Sequence, residues 1–317
     1  MANKPYRIGV DLGGTNIKVG LVDENDAILG KKSAKTKADR PYTEVVADIA
    51  ATVQALLDEL NVSIDQCQKI GIGSPGMIDH INGVVIFAGN LEWNDVPLVE
   101  ELGHYFNVPM RLSNDANCAA LGETRAGAGR GCDNVVLLTL GTGVGGGIVV
   151  DSRLQEGGSA GGMELGHTLL VMDGEPCTCG HKGCIEAYCS ASSLARWAVR
   201  AAQKDPSSLM HSLCRGDLTN MNGAIPFKAA QAGDETAKQV VDFYIRALGE
   251  GIINFVNIWR PEKVLLGGGI SNEGDPLVVP LNEYVRPRCF GGEKGFVPPI
   301  TVAELGNDAG LIGAAAL

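Results

Sequence analysis

A histidine and three closely spaced cysteines near the middle of the chain have the residue types of a metal site. His167 is followed by Cys177, Cys179 and Cys184. Three thiolates and one imidazole fill a tetrahedral zinc shell, and the Cys-x-Cys-x4-Cys spacing lets one short loop surround the ion. The bends that such a loop needs are supplied by Gly174, Pro176, Gly180 and Gly183. Because no position is left for water, we expect a structural Zn²⁺; reduced thiols without metal are the alternative.

The other cysteines do not repeat this pattern. The chain has nine cysteines, an odd number, and it is long enough to build a core without disulfides. The cysteines outside the cluster stand apart from other metal-ligating residues, so we expect them to act as small apolar side chains. They are Cys67, Cys118, Cys132, Cys189, Cys214 and Cys289.

Glycine-rich turns are the second chemical feature. Leu12-Gly13-Gly14-Thr15 and the segment 140–147 each combine unhindered backbone N–H groups with a threonine hydroxyl, as a bound phosphate requires. Neither turn is a Walker A loop, because no Gly-Lys-Ser/Thr follows it. Ordinary tight hairpin turns are the alternative. The glycines and threonines that we expect to bind phosphate groups are Gly13, Gly14, Thr15, Gly141, Thr142, Gly143, Gly267, Gly268 and Gly269.

Three acidic residues in predicted loops form the third feature. Glu164 stands three residues before His167 and Glu186 stands two after Cys184, so one metal ion would fix the position of both carboxylates. Asp115 follows a strand-like run. Solvated surface acids are the alternative for all three. For Asp115 a further alternative is that Asn114-Asp115 caps a helix that begins near Ala116.

The strands that position the glycine turns are predicted from hydrophobic periodicity. Arg7–Val10 and Ile17–Val22 are expected to form strands on either side of the first turn. The segment Asp11–Asp23 resembles Thr139–Asp151, since both have an apolar run, a glycine-rich turn, a second apolar run and a final Asp. This weak repeat suggests two lobes that are built on one plan.

Other elements follow from the same patterns. Apolar residues recur at helical spacing after Thr43, which we expect to be the N-cap of that helix. A long helix is predicted from Thr236 to about Ile258, ending before Pro261. Short strands are predicted at Ile70–Ile72, Val108–Leu112 and Val264–Leu266.

Composition limits the class of protein. The 317 residues, of which 45% are hydrophobic and 20% charged, favour a folded protein of two domains. The formal net charge of −11 repels the phosphate backbone, so we expect no nucleic-acid partner. The sequence contains no apolar run of membrane-spanning length, and strand-like sequence begins too early for a signal peptide. We therefore expect a cytoplasmic protein without a membrane partner.

Several motifs together resemble those of the ROK family, and especially its bacterial glucokinases. They are Asp11-Leu12-Gly13-Gly14-Thr15, Asn114-Asp115, Glu164-Leu165-Gly166-His167 and the segment 177–186, Cys-Thr-Cys-Gly-His-Lys-Gly-Cys-Ile-Glu. The similarity runs from about Ile8 to the Leu-Gly-Asn-Asp-Ala-Gly segment at 305–310. One departure is Met163, which stands where the family usually has Gly before this Glu.

The resemblance implies an α/β fold of two actin-like (ribonuclease H-like) lobes with a cleft between them. The smaller lobe would comprise residues 1–115, completed by 304–317, and the larger lobe residues 116–303 with the zinc loop. The implied reaction is ATP- and Mg²⁺-dependent phosphorylation of a hexose, most of all glucose to glucose 6-phosphate, with Asp115 as the general base. The implied sugar contacts are Asn90, Asn114, Asp115, Glu164, His167 and Glu186, and the implied zinc ligands are His167, Cys177, Cys179 and Cys184.

Other functions stay open at this point. N-acetylglucosamine, N-acetylmannosamine or fructose are alternative acceptors, and polyphosphate is an alternative donor. An actin-like structural ATPase would share the phosphate turns but does not need the Cys/His cluster. A sugar-responsive repressor of the same family would need a helix-turn-helix before Asp11, where the sequence offers little room. The family resemblance also implies a homodimer.

Overall fold

The computed structural model describes residues 5–158 and 162–317, which fold into two compact units. The first unit takes its residues from Met1–Val135, Gly147–Met163 and Glu304–Leu317. The second takes Val136–Gly146 and Glu164–Ala303. These units are defined by compactness, whereas the lobes predicted in the sequence analysis, with boundaries at residues 115 and 303, are defined by the actin-like fold. The lobe boundaries therefore stay a prediction.

The first unit opens with a mixed five-stranded sheet. The helices and strands of this unit between Tyr6 and Ala126 are β1 (Tyr6–Leu12), β2 (Asn16–Val22), β3 (Ile28–Lys35), α1 (Tyr42–Leu60), β4 (Cys67–Ser74), β5 (Met77–Asp79), β6 (Val84–Ala88), β7 (Trp93–Val96), α2 (Leu98–Gly103), β8 (Met110–Asn114) and α3 (Asp115–Ala126). The strand order is β3-β2-β1-β4-β8. Strands β1, β2 and β3 pair antiparallel, whereas β4 pairs parallel with both β1 and β8. The predicted strands within β1, β2 and β4 are confirmed. The strand predicted at Val108–Leu112 is confirmed only from Met110, where β8 begins.

Helix α1 buries its apolar stripe against this sheet. Val46, Ile49, Val53 and other side chains at helical spacing are almost fully buried, as the periodicity predicted. The predicted N-cap, Thr43, is wrong: the helix begins at Tyr42 and Pro41 occupies the cap position. Proline lacks a backbone N–H and has a fixed φ, so it starts a helix without leaving a donor unpaired.

A small antiparallel sheet of β5, β6 and β7 accompanies the main sheet. Its strands are only three to five residues long, too short for a periodicity argument. Glu92 and Asp95 have positive φ angles of 56° and 50°, which non-glycine residues adopt rarely. Trp93 stands between them and is buried. The segment before α2 is thus held in an unusual backbone conformation.

The second unit carries a sheet with the same plan. The elements from this sheet onward are β9 (Val135–Leu140), β10 (Val144–Val150), β11 (Arg153–Leu154), α4 (Glu186–Cys189), α5 (Ala191–Ala202), α6 (Leu209–Leu213), α7 (Ala224–Gln231), α8 (Glu235–Trp259), β12 (Lys263–Gly267), α9 (Asp275–Val285) and β13 (Ile300–Val302). Of these, β11 and the end of β10 lie in the stretch Gly147–Met163, which belongs to the first unit. The strand order β11-β10-β9-β12-β13 repeats the first sheet's order of third, second, first, fourth and fifth strand. The long helix and the strand that follows it are confirmed as α8 and β12.

The C-terminal helix α10 (Ala309–Ala316) returns to the first unit and packs on α3 and β1. The helices are in backbone contact, because a Cβ atom at Gly122 would overlap the carbonyl of Ala309 and one at Gly313 would overlap that of Cys118. The buried carboxylate of Glu123 on α3 accepts the N–H of Leu305 at 2.7 Å. The end of the chain is therefore fixed beside α3.

Candidate functional site

The first glycine turn joins β1 to β2 in the first unit. The N–H of Gly13 donates to the carbonyl of Asn16 at 2.9 Å, and the Thr36 hydroxyl donates to the carbonyl of Gly13 at 2.6 Å. Thr15 is exposed at the tip. A Cβ atom at Gly14 would lie 3.0 Å from the carbonyl oxygen of Asn90, so the turn and this predicted sugar contact are close together.

An ion pair that the sequence did not reveal lies beside this turn. Asp11 and Lys18 face each other across β1 and β2, and the Lys18 ammonium lies 2.9 Å from the Asp11 carboxylate. Gly310 of α10 packs against the same carboxylate, because a Cβ there would lie 3.3 Å from its Cγ. The segment 305–310, where the sequence similarity to the ROK family ends, therefore reaches the first glycine turn.

Asn114 and Asp115 lie where β8 passes into α3. The Asn114 side-chain oxygen accepts the N–H of Ala116 at 2.8 Å, and its amide nitrogen donates to the carbonyl of Gly76 at 3.1 Å. Asn114 is therefore the N-cap of α3, as the capping alternative predicted. The Asp115 carboxylate also accepts the Ala116 N–H, at 2.8 Å, and the residue is exposed in the first turn of the helix. The positive end of the helix dipole stabilises its ionised form.

The second glycine turn joins β9 to β10 in the second unit and closes like the first. The N–H of Gly141 donates to the carbonyl of Gly143 at 3.0 Å. Two donors at the start of α5 hold the turn from outside: the Ala191 N–H reaches the Gly141 carbonyl at 2.8 Å, and the Ser192 hydroxyl reaches the Thr142 carbonyl at 2.9 Å. Thr142 itself is exposed. The turn is braced while its tip faces solvent.

The third glycine cluster lies against the second turn. Gly268 has a φ of 82°, and a Cβ atom there would lie 2.6 Å from backbone atoms of Leu140. Glycine is required at this position by both the positive φ and the close approach. The structure thus packs Gly268 against Leu140, the residue that precedes the second turn, within the second unit.

Glu186, the first residue of α4, connects the second turn to the cysteine cluster. Its Oε2 accepts the backbone N–H of Val144 at 3.1 Å. Its Oε1 accepts the Thr178 hydroxyl at 2.7 Å and lies 3.4 Å from Sγ of Cys177. A Cβ atom at Gly143 would overlap Oε2, so this carboxylate occupies the space that a side chain would need.

Glu164 precedes a short 3₁₀ segment, Leu165–His167, in the same unit. Its carbonyl accepts the N–H of His167 at 3.1 Å. A Cβ atom at Gly166 would overlap the Val144 carbonyl, so this segment packs directly on the second turn. Desolvation by the surrounding protein raises the pKa of the Glu164 carboxyl; the His167 imidazole opposes this shift and the Glu186 carboxylate adds to it.

The predicted metal ligands converge in the second unit. The ligand atoms of His167, Cys177, Cys179 and Cys184 all lie within 4.8 Å of one another. Sγ of Cys179 is 3.7 Å from Sγ of Cys184, and Sγ of Cys177 is 3.5 Å from Nδ1 of His167. Tetrahedral zinc with Zn–S of about 2.3 Å and Zn–N of about 2.0–2.1 Å separates two sulfurs by about 3.8 Å and a sulfur and nitrogen by about 3.6 Å. The donor set and its spacing therefore fit zinc.

The loop that carries the cysteines is tied to the rest of the unit. Gly183 has a φ of 82° and leaves no room for a Cβ beside the Val171 carbonyl. At the other end of the loop, Glu175 accepts Arg200 in an ion pair at 2.9 Å. The Glu175 N–H donates to the Tyr188 hydroxyl at 2.8 Å, and the Tyr188 ring stacks on Trp197. The loop's ends are thus positioned by contacts outside the metal set.

Comparison with known protein families relates these motifs to one another. The model of the ROK family matches residues 7–317. The chain belongs to the ROK family. The glycine turns, the Glu-x-Gly-His segment and the cysteine loop are thus parts of one ROK sequence rather than separate motifs.

Relatives within the ROK family match along nearly the whole chain. A glucokinase of Thermotoga maritima is 39% identical over 315 residues, which cover 98% of this chain and 96% of that protein. The crystal structure of a ROK family glucokinase from Streptomyces griseus, in complex with glucose and AMPPNP, has a TM-score of 0.80, with 35% identity and 98% coverage of both chains. A ROK hexokinase from Thermus thermophilus has a TM-score of 0.81 and 32% identity, covering 98% of this chain and 96% of that one. These likenesses confirm the expected actin-like fold.

The remaining cysteines of this ROK protein agree with the apolar interpretation. Cys67, Cys118, Cys189, Cys214 and Cys289 are buried, and Cys132 is half-buried. Among the residues that the structure describes, no helix combines the length and the apolar character needed to cross a membrane.

Proposed function

We propose that this protein phosphorylates a hexose with ATP, and that its preferred reaction converts glucose to glucose 6-phosphate. One observation carries the proposal: the Glu186 carboxylate is hydrogen-bonded both to Val144, at the end of the second glycine turn, and to Thr178, in the loop of the Cys/His cluster. The glucokinase names of the sequence relatives, and the glucose and AMPPNP held by the Streptomyces griseus protein, support it.

The glycine turns bind the phosphates of ATP in this proposal. Exposed Thr15 and Thr142 offer hydroxyl groups beside unhindered backbone amides in the two turns. The Gly267–Gly269 cluster, which packs on Leu140, completes the nucleotide contacts in the second unit. Mg²⁺ bound with ATP supplies additional charge neutralisation at the phosphates. Catalysis of phosphoryl transfer rests mainly on such positioning and neutralisation.

Asp115 acts as the general base. It receives the proton of the attacking sugar hydroxyl while the bond to the γ-phosphorus forms, for which an ionised carboxylate is suited. Its place in the first turn of α3 supports this role, because the helix dipole stabilises the charged form and the residue is accessible.

The sugar is held by hydroxyl-binding side chains. Carboxylates of Glu164 and Glu186 accept hydrogen bonds from sugar hydroxyls, and the amide groups of Asn90 and Asn114 contribute further contacts. His167 belongs both to the metal ligands and to the sugar contacts. Its Nδ1 faces the sulfur of Cys177, so its Nε2–H is left to donate to a sugar oxygen. A site built in this way discriminates against sugars that lack a hydroxyl.

The Cys/His cluster holds a structural zinc ion. The ion supplies no chemistry to the transfer; it cross-links His167 to the cysteine loop and so orders the acids on either side. We further propose the lobe boundaries given by the family resemblance, 1–115 with 304–317 and 116–303, a homodimeric assembly, and a cytoplasmic location with a role in glycolysis.

A coupled ADP-release assay tests the function. Wild-type protein with ATP and Mg²⁺ is presented with glucose, mannose, fructose and the N-acetylated hexosamines, and the phosphorylated carbon is identified by NMR. The proposal predicts ADP release that depends on sugar, with phosphate on the 6-hydroxyl of glucose. Sugar-independent ATP hydrolysis would indicate an actin-like ATPase instead, and sugar binding without ADP release would indicate a regulator. Repetition with polyphosphate tests the alternative donor.

A further inference from the structure

Thr178 is the one residue between two of the candidate metal ligands, Cys177 and Cys179, and its hydroxyl reaches the Glu186 oxygen that Sγ of Cys177 also approaches. Its hydroxyl donates to Oε1 of Glu186 at 2.7 Å, the usual distance for a hydrogen bond from a hydroxyl to a carboxylate. The residue is exposed, so no packing requirement dictates a threonine here.

The other oxygen of Glu186 is held equally directly. Oε2 accepts the N–H of Val144, a buried residue that begins β10 at the end of the second glycine turn. One donor on each oxygen therefore restricts the rotation of the carboxylate about its last bond; Sγ of Cys177, 3.4 Å from Oε1, adds no hydrogen bond once it is a metal-bound thiolate. A carboxylate oxygen has more than one acceptor position, so Oε1 can still accept a hydroxyl from a ligand while it holds Thr178.

We propose that Thr178 is a positioning residue: its hydroxyl orients the Glu186 carboxylate toward Val144 and thereby orders the glycine turn that binds nucleotide. This inference rests on the proposed function, since it concerns the same nucleotide and sugar. Without the hydroxyl, a partly exposed carboxylate rotates toward water and its bond to the Val144 N–H becomes intermittent. The turn then loses one of its three external braces, the other two being Ala191 and Ser192.

Three variants separate this role from a structural one. Thr178→Val removes the hydroxyl and keeps the shape of the side chain. Thr178→Ser keeps the hydroxyl and restores the interaction. Thr219→Val makes the same chemical change at an exposed threonine of the same unit whose hydroxyl donates to Asp217 instead.

The probe is AMPPNP, titrated calorimetrically into each protein with and without glucose. We expect Thr178→Val to weaken AMPPNP binding roughly fivefold to tenfold, which is less than the loss of a direct hydrogen bond to a charged group, because Thr178 acts on the nucleotide through Glu186. The KM for glucose should rise with it, because the same carboxylate contacts the sugar, while kcat changes less. Thr178→Ser and Thr219→Val should bind AMPPNP like the wild type.

Hydrogen exchange gives a readout that does not depend on activity. In Thr178→Val the Val144 amide should exchange faster than in the wild type, while each protein retains one zinc per chain by elemental analysis. Equal AMPPNP affinity and equal Val144 exchange in the wild type and Thr178→Val would overturn the role of Thr178. Loss of zinc from Thr178→Val would also overturn it, because the residue would then serve the folding of the loop. Failure of the wild type itself to bind AMPPNP would instead overturn the proposed function.

Discussion

Oε2 of Glu186 accepts the backbone N–H of Val144 across 42 positions of sequence, at 3.1 Å. This bond places a residue of the cysteine loop against a glycine turn, and Gly143 must lack a side chain for the two to meet. In the proposed function, this carboxylate therefore links the binding of the sugar to the binding of the nucleotide.

Adding a methyl group to the second turn should damage nucleotide binding. In Gly143→Ala the new Cβ overlaps Oε2 of Glu186, so either the turn or the carboxylate must move. We expect the KM for ATP to rise at least tenfold in steady-state kinetics. Gly103→Ala is the matched control, because a Cβ there has no atom within 4 Å among the described residues. Unchanged kinetics in Gly143→Ala would show that Glu186 and the turn are not tightly packed in solution.

Removing the proposed base should stop turnover. Asp115→Asn keeps the size of the side chain and its hydrogen bond to the Ala116 N–H but cannot accept a proton. General-base contributions are typically about 10²–10⁴-fold, so kcat should fall by that factor while the Kd for glucose changes little. More than about a tenth of the wild-type kcat in the variant would rule Asp115 out as the base.

Breaking the metal set should loosen the sugar-binding residues together. In Cys179→Ser we expect loss of zinc, faster hydrogen exchange over residues 164–186 and a raised KM for glucose, since the ion cross-links this loop. Exchange in the first unit should change much less. Cys132→Ser, at a half-buried cysteine outside the cluster, serves as the control. Purified wild-type protein that is fully active and contains no zinc would contradict the proposal.

Stability should depend on the charge of Asp234, the N-cap of α8. Burial raises the pKa of this carboxyl, but hydrogen bonds from the Ser208 hydroxyl and from the N–H groups of Ala237, Leu209 and Thr236 outweigh burial, so its pKa is below the usual range. A lowered folded pKa stabilises the protein above the unfolded pKa of about 3.9, and this stability is lost as pH falls through the folded value.

Asp234→Asn keeps an N-cap oxygen but removes the charge that these donors bind, so it should cost about 1–3 kcal/mol of unfolding free energy at pH 7. The difference from the wild type should shrink below about pH 4. Urea denaturation at several pH values measures both. Asp242→Asn, an exposed acid on the same helix, should show neither effect. A difference between wild type and Asp234→Asn that stays constant down to pH 3 would contradict this assignment.

Local patterns predicted much of the fold. Alternating and helical spacings located β1, β2, β4, most of β8, β12 and helix α8, because these elements bury apolar side chains. They did not locate the edge strands β3, β11 and β13. The weak repeat between Asp11–Asp23 and Thr139–Asp151 suggested two lobes built on one plan, and the two five-stranded sheets do share one strand order. Thr43 was misplaced as an N-cap because the pattern of apolar residues alone does not fix a helix start to within a residue.

The candidate site was predictable as a set of residues but not as a set of contacts. The three cysteine ligands lie within the short segment Cys177–Cys184, so a single loop is enough to bring them together. The Asp11–Lys18 pair and the bond from Thr178 to Glu186 depend on strand register and loop path, which periodicity does not give. Thr178 would have been found only by asking which donors flank a predicted carboxylate.

Steady-state kinetics with four sugars test the central claim most directly. Glucose, mannose, N-acetylglucosamine and N-acetylmannosamine are each assayed with saturating ATP and Mg²⁺, and kcat/KM is compared. We predict the highest value for glucose, a lower value for mannose, whose 2-hydroxyl is misplaced relative to Glu164 or Glu186, and little turnover of either N-acetylated sugar, whose substituent needs space beside those carboxylates. A higher kcat/KM for an N-acetylated hexosamine than for glucose would contradict the assignment of glucose as the substrate.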